Sequence, residues 1–173
     1  MRRCFRSIIA IVLAIGAAIP AASAATLSAS PQEHPMPDPV MPGHVSGRFD
    51  VKLIPQDDTD DPSGLARLLL DKTFHGELDA TSRGQMLGMR TAGNTSGGYV
   101  AMEKVTGTLQ GRSGSFWLQH YGVAKRGVNT LTLEVVPDSG TDGLEGLGGA
   151  MKIVVKDGGA HFYEFDFGFA ASR

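Results

Sequence analysis

Apolar residues recur at every second position along most of the chain beyond Val45. Successive side chains of a β-strand point to opposite faces, so this alternation predicts strands with one apolar face. No stretch keeps a three-to-four-residue apolar spacing for more than a couple of turns, which argues against amphipathic helices. Eight strands are predicted, around Phe49–Leu53, Leu68–Phe74, Leu78–Met89, Tyr99–Leu109, Ser115–Val123, Leu131–Val136, Met151–Val155 and Phe162–Phe169.

The predicted strands are short, and clusters of Gly, Asp, Asn and Ser separate them. This pattern is typical of an antiparallel sandwich or a closed barrel. Closure is the simplest way to avoid exposed sheet edges, so we predict an all-β fold, an eight-stranded antiparallel barrel of the lipocalin-like kind. A barrel of this size has room for packed side chains or for one small ligand.

Two hairpins assign faces to these strands. If the loop Gly111–Gly114 is even in length, Glu103 pairs with Gly122 and Val105 pairs with His120. This mostly apolar set is predicted to face the lumen. The opposite face then carries the residues better suited to water, namely Lys104, Thr106, Thr108, Trp117, Gln119 and Tyr121.

The last hairpin has a glycine-rich loop, Asp157–Gly159. A three-residue loop pairs Val155 with His161 and Ile153 with Tyr163, and it keeps the aromatic residues of the last strand inside. A two-residue loop would instead place acidic residues inside the barrel. The odd loop length is therefore the better choice.

Alternation places several polar residues in the predicted lumen. Glu103 and His120 are diagonal neighbours across their hairpin and form the candidate catalytic pair. Lys72 shares a strand face with Leu68, Leu70 and Phe74. Tyr99 lies four residues before Glu103 and therefore on the same strand face. Both are candidate ligand-binding residues near the mouth. Tyr163 is a third such candidate on the opposite wall. An unpaired charge in a lumen is costly, so these groups are expected to be paired, wet or facing a ligand.

Three functions fit such a lumen. The first is a non-catalytic barrel that holds a small, largely apolar ligand. The second is a cofactor-free isomerase or cyclase in which Glu103 steadies positive charge or moves a proton and His120 assists. The third is a structural or interaction barrel with a filled core, in which Trp117 and Tyr121 form the face of a homo-oligomer.

No metal or cofactor is predicted. Asp138, Asp142 and Gly143 imitate three positions of a calcium loop, but Gly140 and Gly149 stand where ligands are needed. The acidic run 57–61 is interpreted as a solvated loop. The chain has no Gly-x-Ser-x-Gly elbow, His-x-x-x-His pair or Cys-x-x-Cys motif.

The first part of the chain resembles an export signal. A basic start, an apolar run from Ile8 to Ala18 and the small residues before Ala25 predict a signal peptide over residues 1–24, cleaved after Ala24. A proline-rich flexible linker is predicted over 25–44, and the domain over 45–173. The expected location is periplasmic or secreted. The apolar run is too short for a stable membrane anchor.

Removal of the signal changes the surface chemistry as well. The sole cysteine, Cys4, lies in the signal, so the exported chain has no disulfide and no cysteine nucleophile. Without Arg2, Arg3 and Arg6, the formal charge falls from −2 to −5. A chain that is acidic and lacks a basic run is not expected to bind nucleic acid.

Several segments carry a family resemblance, namely Asp71–Leu78, Gly98–Leu109, Gly111–Phe116, Leu118–His120 and Val136–Thr141. The chain resembles the bacterial domain of unknown function family numbered 3224 over nearly all of Gly47–Phe169. Members of that family are similar to the allene oxide cyclase-like barrels, so the resemblance implies the same eight-stranded architecture, while the family itself implies no reaction. In those cyclases a lumen glutamate polarises an epoxide.

Overall fold

The structure is a computed structural model that describes residues 42–56 and 62–170. The predicted signal peptide (1–24), most of the predicted linker (25–44) and the acidic run 57–61 lie outside the described residues. Within the described residues, no helix is long and apolar enough to cross a membrane.

The described chain forms a closed antiparallel barrel of eight strands in sequential order, which confirms the predicted fold. The first strand begins at Gly43, slightly before the predicted domain start at Val45. The strands are β1 (Gly43–Gln56), β2 (Ala66–Gly76), β3 (Leu78–Arg90), β4 (Ser96–Leu109), β5 (Arg112–Lys125), β6 (Val128–Val135), β7 (Leu147–Val155) and β8 (His161–Phe169). Short 3₁₀ turns lie at Ala92–Asn94, Asp142–Leu144 and Asp157–Gly159.

The β4–β5 hairpin has the predicted faces but a different register. Leu109 pairs with Arg112, so the connection is the two-residue turn Gln110–Gly111 and not a loop over 111–114. Both turn residues have positive φ, 48° at Gln110 and 78° at Gly111, as a type I′ turn requires. The predicted loop and the observed turn both contain an even number of residues. The residues expected to face the lumen therefore still face it.

The correction of this register changes every predicted partner along the hairpin. Glu103 pairs with Leu118 and not with Gly122, and His120 pairs with Ala101 and not with Val105. Glu103 and His120 are still diagonal neighbours. His120 now lies two residues after the partner of Glu103 on β5, whereas the prediction put it two residues before that partner. The β7–β8 register is as predicted, because Val155 pairs with His161 and Ile153 with Tyr163.

One end of the barrel is closed. The lumen residues there are almost fully buried, and Leu144, from the connection between β6 and β7, is packed among them. This connection is tied to β5 by the hydrogen bond from the Thr141 amide to the Ser115 carbonyl. The buried lumen residues at this end are Val45, Leu78, Leu109, Phe116, Leu147, Tyr163, Phe165, Phe167 and Phe169.

The opposite end, called the mouth below, is much less buried. It contains the connections β1–β2, β3–β4, β5–β6 and β7–β8. Leu53, Leu131 and Val155 fall on the lumen face by alternation, yet they are 52%, 39% and 60% exposed. The half-buried residues of the same face are Leu68, Met86, Tyr99, Ala124, Ile153 and His161. The lumen therefore changes from a sealed apolar core to an open end along the barrel axis.

Candidate ligand site in the barrel lumen

Four polar side chains meet inside the barrel between the sealed core and the mouth. They are Lys72 on β2, Ser82 on β3, Glu103 on β4 and His120 on β5, called the polar cluster below. Each occupies an inward position of its strand because inward and outward residues alternate. Their exposed fractions are 5%, 2%, 0% and 4%, so all four are buried.

Glu103 is the centre of the polar cluster. The Lys72 Nζ donates a hydrogen bond of 2.6 Å to its Oε2. The Ser82 hydroxyl donates to Oε1. The His120 Nε2 lies 2.8 Å from Oε2 as well. The structure therefore brings together Lys72, Glu103 and His120, three of the residues predicted for the site.

The contact between His120 and Glu103 is short, but it lacks the geometry of a hydrogen bond. The His120 Nε2 is buried and has no hydrogen-bond partner among the described residues. The distance of 2.8 Å still gives a strong electrostatic interaction when the ring is protonated. The imidazole nitrogen is thus held against the carboxylate at ion-pair distance, without an aligned hydrogen bond.

These neighbours set the ionisation of Glu103. Burial by itself raises the pKa of a carboxyl group, but the contacts with His120, Lys72 and Ser82 outweigh burial and lower the pKa of Glu103 to about 2. Glu103 is therefore a carboxylate at neutral pH. Its charge is balanced by the ammonium of Lys72.

Aromatic rings enclose the ammonium of Lys72 on the side of β1 and β2. The Nζ lies 5.3 Å from the ring centroid of Phe49 and 5.8 Å from that of Phe74. Ring faces attract a cation that has lost its water, so both contacts stabilise the buried ammonium. They also fix its position beside Glu103.

Tyr99 lies on the mouth side of His120, as predicted from alternation. Its ring packs on Gly122, where a Cβ would come within 2.2 Å of Tyr99 Cε1, so only glycine leaves space for this ring. The phenol is half-buried. Burial and then the negative charge of Glu103 raise the pKa of Tyr99.

Small residues line the wall between the polar cluster and the mouth on β3, β4 and β5. On the closed-end side of the cluster the same three strands carry large side chains, such as Leu109, Phe116 and Leu118. On the mouth side of the cluster, the lumen face of these three strands therefore carries mostly short side chains, with Met86 and Tyr99 as the larger ones. The small residues are Gly84, Gly88, Gly97, Ala101, Gly122 and Ala124.

Tyr163 is inside the barrel, as predicted, but its hydroxyl contacts the β2–β3 turn. The hydroxyl donates to the His75 carbonyl at 3.2 Å and accepts from the Leu78 amide at 3.3 Å. Burial raises the pKa of Tyr163. These contacts tie the closed end together, and we do not include Tyr163 in the candidate site.

Trp117 and Tyr121 face outward, as the assignment of faces predicted. Their exposed fractions are 39% and 57%. Tyr121 lies beside Val100, and Val100 beside Leu87, in one row across β5, β4 and β3. All three are exposed, so this row is an apolar strip on the outer surface.

Ser82 is a member of the cluster that the sequence analysis missed. The signal that identifies it is its alternation with Leu78 and Ala80, which puts it on the inward face of β3. Among the described residues there is no group of three or more His, Cys, Asp or Glu side chains arranged to hold a metal ion.

A closed eight-stranded barrel with a charged cluster inside defines the class of this protein. The family described as "Protein of unknown function (DUF3224)" matches residues 45–167, and the chain belongs to that family. A crystal structure of a protein of unknown function from the DUF3224 family of Shewanella oneidensis MR-1 is similar, with 50% identity and a TM-score of 0.71. That match covers 76% of this chain and 100% of the other. No curated protein matches the chain.

Proposed function

We propose that this barrel binds one small, largely apolar molecule in the mouth half of its lumen, with the polar cluster as the floor of the site. The observation that carries the proposal is the position of the cluster. It lies where the packed core ends and the wall of small residues begins, below Tyr99.

Stability alone does not account for such a cluster. The transfer of an ion pair from water to a protein interior costs several kcal/mol per ion, and apolar residues of similar volume usually do as well or better. Lys72 and Glu103 are nevertheless 5% and 0% exposed. A ligand that contacts these groups gives a reason for keeping charges at this position.

The surroundings of Glu103 favour a ligand-binding barrel over an enzyme in which Glu103 transfers a proton. A general base works best when its pKa is near the working pH, whereas the pKa of Glu103 is lowered to about 2. Both of its oxygens already have protein partners, and Lys72 neutralises its charge. Glu103 is therefore suited to holding the donors of the cluster in place.

The mouth offers an apolar surface to the body of a ligand. On the strands opposite the small-residue wall, the lumen face near the mouth is formed by Val51, Leu68, Leu131 and Ile153. Pockets for small molecules are mostly apolar with a few well-placed polar groups, and this combination matches that description.

The test is a titration of the full-chain protein, produced in its own host, with the neutral apolar fluorophore N-phenyl-1-naphthylamine. Ala124 faces the lumen at the mouth, so Ala124→Trp is expected to weaken binding at least about tenfold by filling the site. Thr132→Trp, on the outer surface of β6, is the matched control and is expected to leave binding unchanged.

Two results would contradict the proposal. One is binding that is equally strong in both variants, which would place the fluorophore outside the lumen. The other is the absence of binding together with a crystal structure of the host-purified protein in which packed side chains fill the mouth half. That second result would favour a barrel with a purely structural or interaction role.

A further inference from the structure

We infer that the molecule bound in the lumen carries an anionic oxygen acceptor, best a carboxylate, that contacts Lys72 and His120. This inference rests on the proposed function and names the chemistry of its ligand. It starts from a count of hydrogen-bond donors and acceptors in the polar cluster.

Donors are in surplus in the cluster. The ammonium of Lys72 has three N–H donors, and Glu103 is its one hydrogen-bond acceptor among the described residues. The His120 Nε2 lies 2.8 Å from Glu103 Oε2 but makes no aligned hydrogen bond with any described residue. A further acceptor, supplied by a ligand beside these two nitrogens, would therefore lower the free energy of the cluster.

The acceptors of the cluster are already engaged. Glu103 Oε1 accepts from Ser82, and Oε2 accepts from Lys72 and lies against His120. Glu103 is also 0% exposed, whereas Lys72 and His120 keep 5% and 4% of their surface. Of these three side chains, Lys72 and His120 are the two that keep any exposed surface, which favours contact of a head group with them.

The charge of the cluster favours the same chemistry. The ammonium of Lys72 and the carboxylate of Glu103 cancel, so the cluster carries no net negative charge that would repel an anion. A ligand carboxylate at this position forms charge-assisted hydrogen bonds with both nitrogens. A ligand ammonium would add a like charge beside Lys72 and bring no acceptor.

The geometry also orients the ligand. The aromatic and aliphatic side chains below the cluster are packed, and the wall of small residues lies on the mouth side. The head group is therefore expected at the cluster, with the apolar body pointing past Tyr99 toward the mouth.

The test compares three probes with the same chain, nonanoate, nonan-1-ol and nonylammonium, by isothermal titration calorimetry on the full-chain protein. We expect nonanoate to bind at least about tenfold more tightly than nonylammonium, with nonan-1-ol between them. In Lys72→Met/Glu103→Gln, which removes both charges, the preference for nonanoate over nonan-1-ol is expected to disappear. Tyr163→Phe, inside the barrel but outside the cluster, is the control and is expected to keep the preference.

The outcomes separate the two proposals. If no probe binds and the fluorophore titration also fails, the proposed function itself is wrong. If nonan-1-ol or nonylammonium binds as tightly as nonanoate, the lumen binds ligands but the head-group inference is overturned.

A crystal structure with 9-bromononanoate is the second measurement, and it does not depend on whether the double variant folds. We expect the bromine at the mouth and the carboxylate within hydrogen-bond distance of Lys72 Nζ. The reverse orientation would overturn the inference.

Discussion

Lys72 and Glu103 form a buried ion pair between strands that are not neighbours. The Nζ and Oε2 atoms are 2.6 Å apart, although β3 lies between β2 and β4 in the sheet. The pair thus bridges over Ser82 of β3, whose hydroxyl holds the second oxygen of the carboxylate. Curvature of the barrel wall brings these side chains together inside the lumen.

The ion pair is expected to be strongly coupled in stability. Lys72→Met leaves the buried carboxylate without its ammonium partner and is expected to cost about 3 to 5 kcal/mol, while the double variant with Glu103→Gln is expected to cost much less. Urea unfolding of the two single variants and the double variant measures the coupling.

The exposed pair Arg48–Asp50, with its charged atoms 4.0 Å apart, is the control for this cycle. Its coupling is expected to be much smaller than that of the buried pair, because solvent screens exposed charges. A similarly small coupling between Lys72 and Glu103 would show that the buried contact is not formed in solution.

Stability is expected to fall in acid because of Glu103. The folded state lowers its pKa to about 2, from an ordinary value of 4.5. Its contribution is therefore present above pH 4.5 and is lost as the pH falls from there toward 2, which amounts to about 3 kcal/mol. Unfolding free energies measured between pH 7 and pH 2 are expected to show this loss.

Glu103→Gln is the matched variant for the acid experiment, because its amide does not titrate. The pKa of Asp50 is also lowered, chiefly by its hydrogen bond with His75, but Asp50 is unchanged in the variant, so the difference between the proteins isolates Glu103. Parallel pH profiles for the two proteins would contradict the expected role.

Tyr163→Phe is expected to destabilise the closed end without changing ligand binding. The change leaves the Leu78 amide and the His75 carbonyl without the phenol oxygen that they contact. Such a loss costs about 1 to 3 kcal/mol. Thermal unfolding measures the stability, and the fluorophore titration measures the binding. A large loss of binding would return Tyr163 to the site.

The β4–β5 turn offers a stabilising change. Gln110 has a φ of 48°, a conformation that asparagine adopts more readily than glutamine. Gln110→Asn is therefore expected to raise the unfolding free energy by about 0.5 kcal/mol. Arg126→Asn, in the similar turn before Gly127, is a parallel case with a φ of 50°. If both changes lower the melting temperature, the type I′ geometry is wrong.

For the beginning of the chain we propose cleavage after Ala24 and release outside the cytoplasmic membrane. The exported protein is then expected to begin at Ala25 and to lack Cys4. Intact mass measurement of protein from the host's extracytoplasmic fraction checks this. A chain that retains Met1 and stays in the membrane fraction would contradict the proposal.

Alternation along the chain was sufficient to place Lys72, Glu103 and His120 inside one barrel. This inference depends only on the two-residue period of a strand, which is a local property. It holds although the predicted β4–β5 register is wrong, because the predicted loop and the observed turn both contain an even number of residues. The β7–β8 register could also be read from the sequence, since the wrong loop length would have buried acidic side chains.

The remaining features of the site were decided by the tertiary structure. The sequence does not show that Gln110 adopts a positive φ, so the turn and the partners of Glu103 were misassigned. Contacts across β3 depend on how far the sheet curves as it closes, which no local pattern encodes. Alternation marks Ser82 as inward, but its contact with Glu103 depends on this curvature. The same holds for the contacts of the Tyr163 hydroxyl with the β2–β3 turn. Alternation in the sequence is enough to assign the side chains that face the lumen, whereas the contacts among them depend on how the barrel closes.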